Sequence, residues 1–170
     1  MVEDCLTPDI ADAIIEASDL PSGGAYTAVG PYDHAEIVTL VHNLSTETGL
    51  GCDELLHAFG KHLFGRFVQA FPAFFEGQRD AFQFLQSVED QIHVEVRKLY
   101  PDAELPSLDA IQQEPNHLKI VCRSDRSMGT LAHGLIEGCI QHFAALIEIR
   151  RSHGLADAAY RAEFDLLRAA

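Results

Sequence analysis

The chain has 170 residues, of which 47% are hydrophobic, and 26 acidic side chains outweigh 12 basic ones for a formal charge of −14. That length suits one domain, here 1–170, with a sizeable core, and that apolar share excludes a disordered chain. So negative a surface repels phosphate backbones and anionic membranes, which removes nucleic acid and membrane from the expected partners.

No uninterrupted apolar run approaches the roughly 20 residues of a membrane span. The acidic start, MVEDCLTPD, lacks the basic region of a signal peptide, so a cytoplasmic protein is expected. Thr7-Pro8-Asp9 then reads as a helix start, with Thr able to cap and Pro tolerated in the first turn. Ile10, Ile14 and Ile15 share a face of that helix, and Leu20-Pro21-Ser22-Gly23-Gly24 breaks it. Residues 25–32 form an extended or looped segment. Asp33 caps a helix over about 34–48, which Gly49 and Gly51 end. Cys52-Asp53-Glu54 opens the next helix with two acids in its first turn. Leu55, Leu56, Phe59, Leu63, Phe64, Phe67, Val68 and Phe71 wrap most of its surface, which predicts burial nearly all round, and Pro72 stops it.

A helix is predicted over about 79–100, with Leu85, Val88, Ile92, Val96 and Leu99 as its buried stripe. At about 100° per residue, His93 lies at the edge of that stripe, where it can look into a pocket. Beyond Pro101 and Pro106 the pattern changes. Ser107 to Glu114 reads as a short strand and turn, and Leu118 to Cys122 as a β-branched strand after Pro115-Asn116. Residues 128–143 return to a helix whose glycines let another surface approach its backbone. Ala145 to Arg151 and Tyr160 to Arg168 suggest a hairpin with a longer loop around Ser152-His153-Gly154. The expected fold class is α+β: a helical N-terminal part, then a small antiparallel sheet with one inserted helix.

Chemistry-bearing residues are few. Cys5, Cys52, Cys122 and Cys139 form no C-x-x-C pair and read as reduced, mostly buried thiols. His34, His42, His57, His62, His117 and His153 fall near helix starts, on polar flanks or in turns. His57 and His62 are five apart and share no helix face, so a zinc hydrolase has no support. His133 and His142 lack a third ligand in register. No nucleophile–base pair is evident, so the chain is not expected to be an enzyme. His93 on its own reads as a structural histidine, and Ser124 and Arg126 as an N-cap region with Ser124 or Ser127 as the cap. Together, however, a hydroxyl and a guanidinium at i and i+2 of an extended chain point one way and can hold carboxylates.

Four segments, in order, carry a resemblance: GAYTAVGPYDHAEIV at 24–38, ELLHAFGKHLF at 54–64, IHVEVRKLYPDAELP at 92–106 and GLIEG at 134–138. They are similar to segments of the haem–nitric oxide/oxygen binding, or H-NOX, family, which includes the sensor domain of soluble guanylate cyclase and stand-alone bacterial sensors. The resemblance implies haem b as cofactor, with His93 as the proximal iron ligand and Pro106 as the proline that presses on the haem. Ser124 and Arg126 match the last two members of the family's Y-x-S-x-R motif, which holds the propionates. Its first member is here Cys122, which removes one phenolic hydrogen bond of roughly 1–3 kcal/mol if charge-assisted, with Arg123 as a neighbour that could compensate. Relative to the family, the chain also opens about ten residues late, which implies a more open distal side or a shortened start.

Oxygen-binding members carry a tyrosine where this chain has Leu131, so the resemblance implies selective binding of NO, with CO as a further ligand. The implied function is a sensor in which NO binds ferrous haem, the iron–His93 bond is lost, and a separate partner, a histidine kinase or a cyclic-di-GMP enzyme, reads the change. The competing reading is a haem-poor interaction or thiol-sensing module on the same fold, using Cys122 and Cys139.

Overall fold

The computed structural model describes residues 7–27, 32–156 and 159–169. The chain forms two compact units, 1–59 and 60–170. In the first, α1 is Pro8–Glu16, with Thr7 Oγ1 accepting from the Ile10 N–H at 3.3 Å. Helix α2 is His34–Thr48, capped by the Asp33 carboxylate and closed by Gly49 at φ 72°. Ile14, Leu44 and Leu55 make its buried cluster, with Ile10, Leu40 and Val41 against it. The Tyr26 hydroxyl donates to the buried Glu36 carboxylate at 2.8 Å, and the Tyr32 hydroxyl accepts from the Thr27 N–H at 2.6 Å. Two tyrosines of the GAYTAVGPY segment thus anchor its described parts. Its residues 28–31, like the N-terminal residues 1–6, lie outside the described residues.

Helix α3, Cys52–Ala70, is divided between the units. Its all-round burial is not observed: Phe64 is buried, but Phe67 is 41% and Phe71 48% exposed. In the second unit a helical stretch runs from Ala81 to Leu99 in three parts: α4, Ala81–Ser87; a π-helical turn, Val88–His93; and α5, Val94–Leu99. Asp80 caps it by accepting from the N–H groups of Phe82 and Gln83. The same carboxylate pairs with Arg168 at 2.6 Å, whose guanidinium lies 4.0 Å from the centre of the Phe82 ring, so helix start and C-terminal strand are held together. A π turn takes an extra residue, which rotates the next helical segment by about 100° relative to an unbroken α-helix. The predicted stripe therefore fails at its far end: Leu85 is buried, but Leu99 is 69% exposed.

Strands β1 (Ser107–Glu114), β2 (His117–Ser124), β3 (Ile147–Ala156) and β4 (Ala159–Arg168) form one antiparallel sheet in the order β1-β2-β4-β3. Helix α6, Gly129–His142, is inserted between β2 and β3. This is the expected α+β arrangement. The hairpin differs in its loop: Ser152, His153 and Gly154 are not loop residues but pair with Glu163, Ala162 and Arg161, and the pairing continues to Ala156 opposite Ala159. The inner face of the sheet buries Leu118, Ile120, Phe164 and Leu166 completely. They join Phe64, Phe82, Phe84, Ile136 and Cys139 in one core. The close approach expected at the α6 glycines is seen at Gly138, where a Cβ would come within 2.8 Å of the Phe64 Cβ.

Candidate cofactor site

Pleat parity sets which side chains can meet. Leu118, Ile120, Cys122 and Ser124 of β2 share one face, and their register partners are Leu166, Phe164, Ala162 and Tyr160 of β4. The first two pairs fill the core. At the last two the side chains change to a thiol, a methyl, a hydroxyl and a phenol, and a cavity of about 300 Å³ opens there. Cys122, Ser124, Arg126, Tyr160, Arg151 and Arg161 are among its lining residues. A Cβ at Gly129, the first residue of α6, would meet the Arg151 Nη2 at 2.8 Å and the Ala162 Cβ at 2.9 Å, so the missing side chain keeps this end open.

Ser124 does not cap α6. That helix starts after Met128 with no side-chain cap, and Ser124 Oγ instead accepts from the Arg126 N–H at 3.2 Å, tying the end of β2 into a turn. The turn brings Ser124 and Arg126 to one cavity although the strand has already ended. Arg126 makes an ion pair with Glu104, four-tenths and seven-tenths exposed respectively. Arg151 donates from both terminal nitrogens to the Thr130 hydroxyl at 3.2 Å. Arg161, the register partner of Arg123, sends its guanidinium to the opposite face, where Nη2 bonds Glu163. Arg123 cannot stand in for a missing phenol in this cavity: parity puts it on the opposite face, paired with Asp109 of β1.

His93 closes the π turn and is half-buried. Its Nδ1 lies 2.8 Å from Glu89 Oε2, which also accepts from the Leu108 N–H at 3.1 Å, and Arg97 donates to the other carboxylate oxygen at 2.9 Å. Burial pushes the Glu89 carboxyl up, but the hydrogen bonds from Arg97, His93 and Leu108 outweigh it and hold the group below the usual carboxylate range. An ionised carboxylate only accepts, so in the neutral ring this contact favours the proton on Nδ1 and leaves Nε2 as the nitrogen with a lone pair. Leu108 is the second residue of β1, two residues after the half-buried Pro106, and its register partner is Cys122. Glu89 and one strand pairing thus connect His93 to the cavity. Leu131 lies in the first turn of α6, half-buried, and is not among the cavity's lining residues.

Both core thiols sit where burial disfavours the thiolate. Burial pushes Cys122 up, partly offset by the Arg123 charge, and burial with the nearby Asp80 charge pushes Cys139 far up. A reactive thiolate needs the opposite environment, so the geometry does not favour a thiol-sensing module.

The site suits a flat metal complex with acidic arms. His93, which is not among the cavity's lining residues, offers a nitrogen ligand whose second nitrogen is already bonded, and the cavity is lined by Ser124, Tyr160, Arg126 and Arg151, two hydroxyl and two guanidinium residues. Residues 1–151 match the family model described as Haem-NO-binding. The Fe(II) unliganded H-NOX protein from K. algicida is 34% identical to this chain, with a TM-score of 0.89 over 99% of this chain and 91% of that one. The fold is also that of a mutant H-NOX from T. tengcongensis, at 22% identity and TM-score 0.90 over 99% and 92% of the two chains. An oxygen-binding H-NOX domain related to soluble guanylate cyclases gives 22% and 0.86 over 99% and 89%. No curated protein matches. The chain belongs to the H-NOX family of haem-based gas sensors.

Sequence reasoning reached Cys122, Ser124 and Arg126 but missed Tyr160, Arg151 and Glu89. The first two come from the hairpin, whose register no local signal sets. Glu89 had a signal, its i, i+4 spacing to His93.

Proposed function

We propose that the chain, as one domain over 1–170, senses nitric oxide through a ferrous haem b and passes the signal to a separate protein. When bound, the haem supplies the iron at which NO, or CO, is taken up. His93 would ligate that iron through Nε2, and Ser124 and Arg126 would hold the propionates at the end of β2, with Arg151 and Tyr160 around the same cavity. Pro106, at the head of β1, would press on the ring, and Cys122 would line the pocket without donating the phenolic bond. Leu131 offers no hydroxyl to a bound gas, which favours NO over dioxygen, since dioxygen carries more negative charge and needs a donor more.

The observation that carries this reading is the His93 side chain, held at Nδ1 by Glu89 with Nε2 left to bind metal. Release of His93 from the iron would free the π turn and α5, and a partner preferring one of the two shapes would read the change. A histidine kinase or a cyclic-di-GMP enzyme is the proposed partner, the chain itself carrying no catalytic role.

The test is an anaerobic visible absorption spectrum of the haem-reconstituted protein before and after NO. A ferrous Soret band that shifts with NO, and that His93→Gly loses unless imidazole is added, supports the reading. A wild-type protein without a Soret band, or a His93→Gly variant with an unchanged one, refutes it. A stable ferrous–oxygen spectrum would overturn the role given to Leu131.

A further inference from the structure

We propose that Glu89 is a positioning residue for His93, and that its Oε2, shared by the His93 ring and the Leu108 N–H, couples the ligand to the first strand of the sheet. The haem-dependent part rests on the function proposed above.

Three features of the site lead here. First, Glu89 and His93 both lie in the π turn Val88–His93, four residues apart, and their atoms meet at 2.8 Å. Second, Oε2 accepts from two donors on two elements, the His93 ring and the backbone of Leu108 at 3.1 Å. Third, Arg97 holds the other oxygen at 2.9 Å from α5, so the carboxylate has little freedom to turn. An anionic acceptor on Nδ1–H fixes the tautomer and ring orientation and makes Nε2 a stronger donor to a metal.

A shared acceptor also transmits movement. If His93 shifts, Oε2 must either follow the ring or stay with Leu108. Either way the bond to one of them lengthens. Leu108 pairs with Cys122 across the sheet, so the disturbance enters the strand that lines the cavity. Sequence spacing alone would place Glu89 one turn from His93 and stop there; the contact with β1 comes from the tertiary structure.

The test uses the full chain in two states. In the 15N-labelled haem-free protein, at a pH where the ring is neutral, two-bond proton–nitrogen spectra should show the His93 proton on Nδ1. Glu89→Ala should turn this into a mixture of tautomers and speed deuterium exchange of the Leu108 amide about tenfold. In the haem-loaded protein, Glu89→Gln, which keeps the shape and removes the charge, should move the iron–histidine stretching band to lower frequency and speed haem loss about 10-fold. A neutral His93 ring with its proton on Nε2 in the wild type overturns the proposal, as does a Glu89→Gln band at the wild-type frequency. A wild-type protein with no iron–histidine band overturns the haem reading instead, and the haem-free spectra then decide for or against Glu89.

Discussion

Lys119 and Ile120 are neighbours in β2, yet one stands among ion pairs and the other is completely buried. On the outer face Lys119 pairs with Glu163 at 2.7 Å, Arg161 with the same carboxylate at 2.5 Å, and His117 with Asp165 at 2.7 Å. On the inner face Leu118, Ile120, Phe164 and Leu166 leave nothing to solvent. Each such side chain contributes roughly 1.5–3 kcal/mol by leaving water, whereas exposed pairs contribute about 0–1 kcal/mol. The inner face therefore holds the sheet together, and the outer face carries its ion pairs at little gain in stability. The inner face then changes character along its own length, from core at Ile120 and Phe164 to cavity at Cys122, Ser124 and Tyr160. The pocket is the place where the core's alternation continues but its large apolar side chains stop.

The largest effect should come from the dry part. Phe164→Ala should lower the unfolding free energy by about 3–5 kcal/mol in urea titration, with the slope little changed, because the hole left at the centre of the sheet collapses only partly. A loss below about 1 kcal/mol would mean that the two ends of the inner face do not differ as described.

At the open end, Cys122→Tyr adds the phenol that the proposed haem site lacks at this position. Transfer of haem to a haem-free acceptor protein should slow about tenfold, the worth of one charge-assisted hydrogen bond. An unchanged rate would indicate that Tyr160 or the arginines already satisfy the propionates. Gly129→Ala pushes a methyl towards Ala162 and the end of Arg151, and should cost about 1 kcal/mol by overpacking, read as a lower Tm.

The outer face should respond least. Hydrogen bonding from Lys119 holds Glu163 below the usual carboxylate range, and the same bond raises Lys119. The Glu163 contribution is present above its unfolded pKa and is lost as pH falls through its folded one. That of Lys119 is present below its unfolded value and lost as pH rises through the folded one. Glu163→Gln should therefore give the smallest change of the four, confined to pH above the carboxylate range and reduced by salt. A change as large as that of Phe164→Ala would break the comparison.

Much of this was legible in order along the chain. Thr7, Asp33 and Gly49 bound their helices as their side chains predict, and the β-branched run before Cys122 is the strand it suggests. Parity alone implies that Arg123 points away from Cys122 and Ser124, and the Asp109 pair confirms it. The misses have a common cause. A loop around Ser152-His153-Gly154 looked plausible because Gly disfavours strands, but the β4 backbone supplies partners that outweigh that local preference. Leu99 looked like core because a 3.6-residue period was carried through a π turn that no residue announces.

The sequence by itself determined the α+β division, most helix boundaries, the family and three residues of the cavity. These rest on local chemistry: caps, breakers, periodicity and motif spacing. Tertiary structure alone decided that Arg151 and Tyr160 join Ser124 and Arg126, and that Glu89 serves both His93 and Leu108. Those meetings depend on strand register and on the rotation at the π turn, which are settled by burying the inner face of the sheet as a whole rather than by any short stretch of the chain.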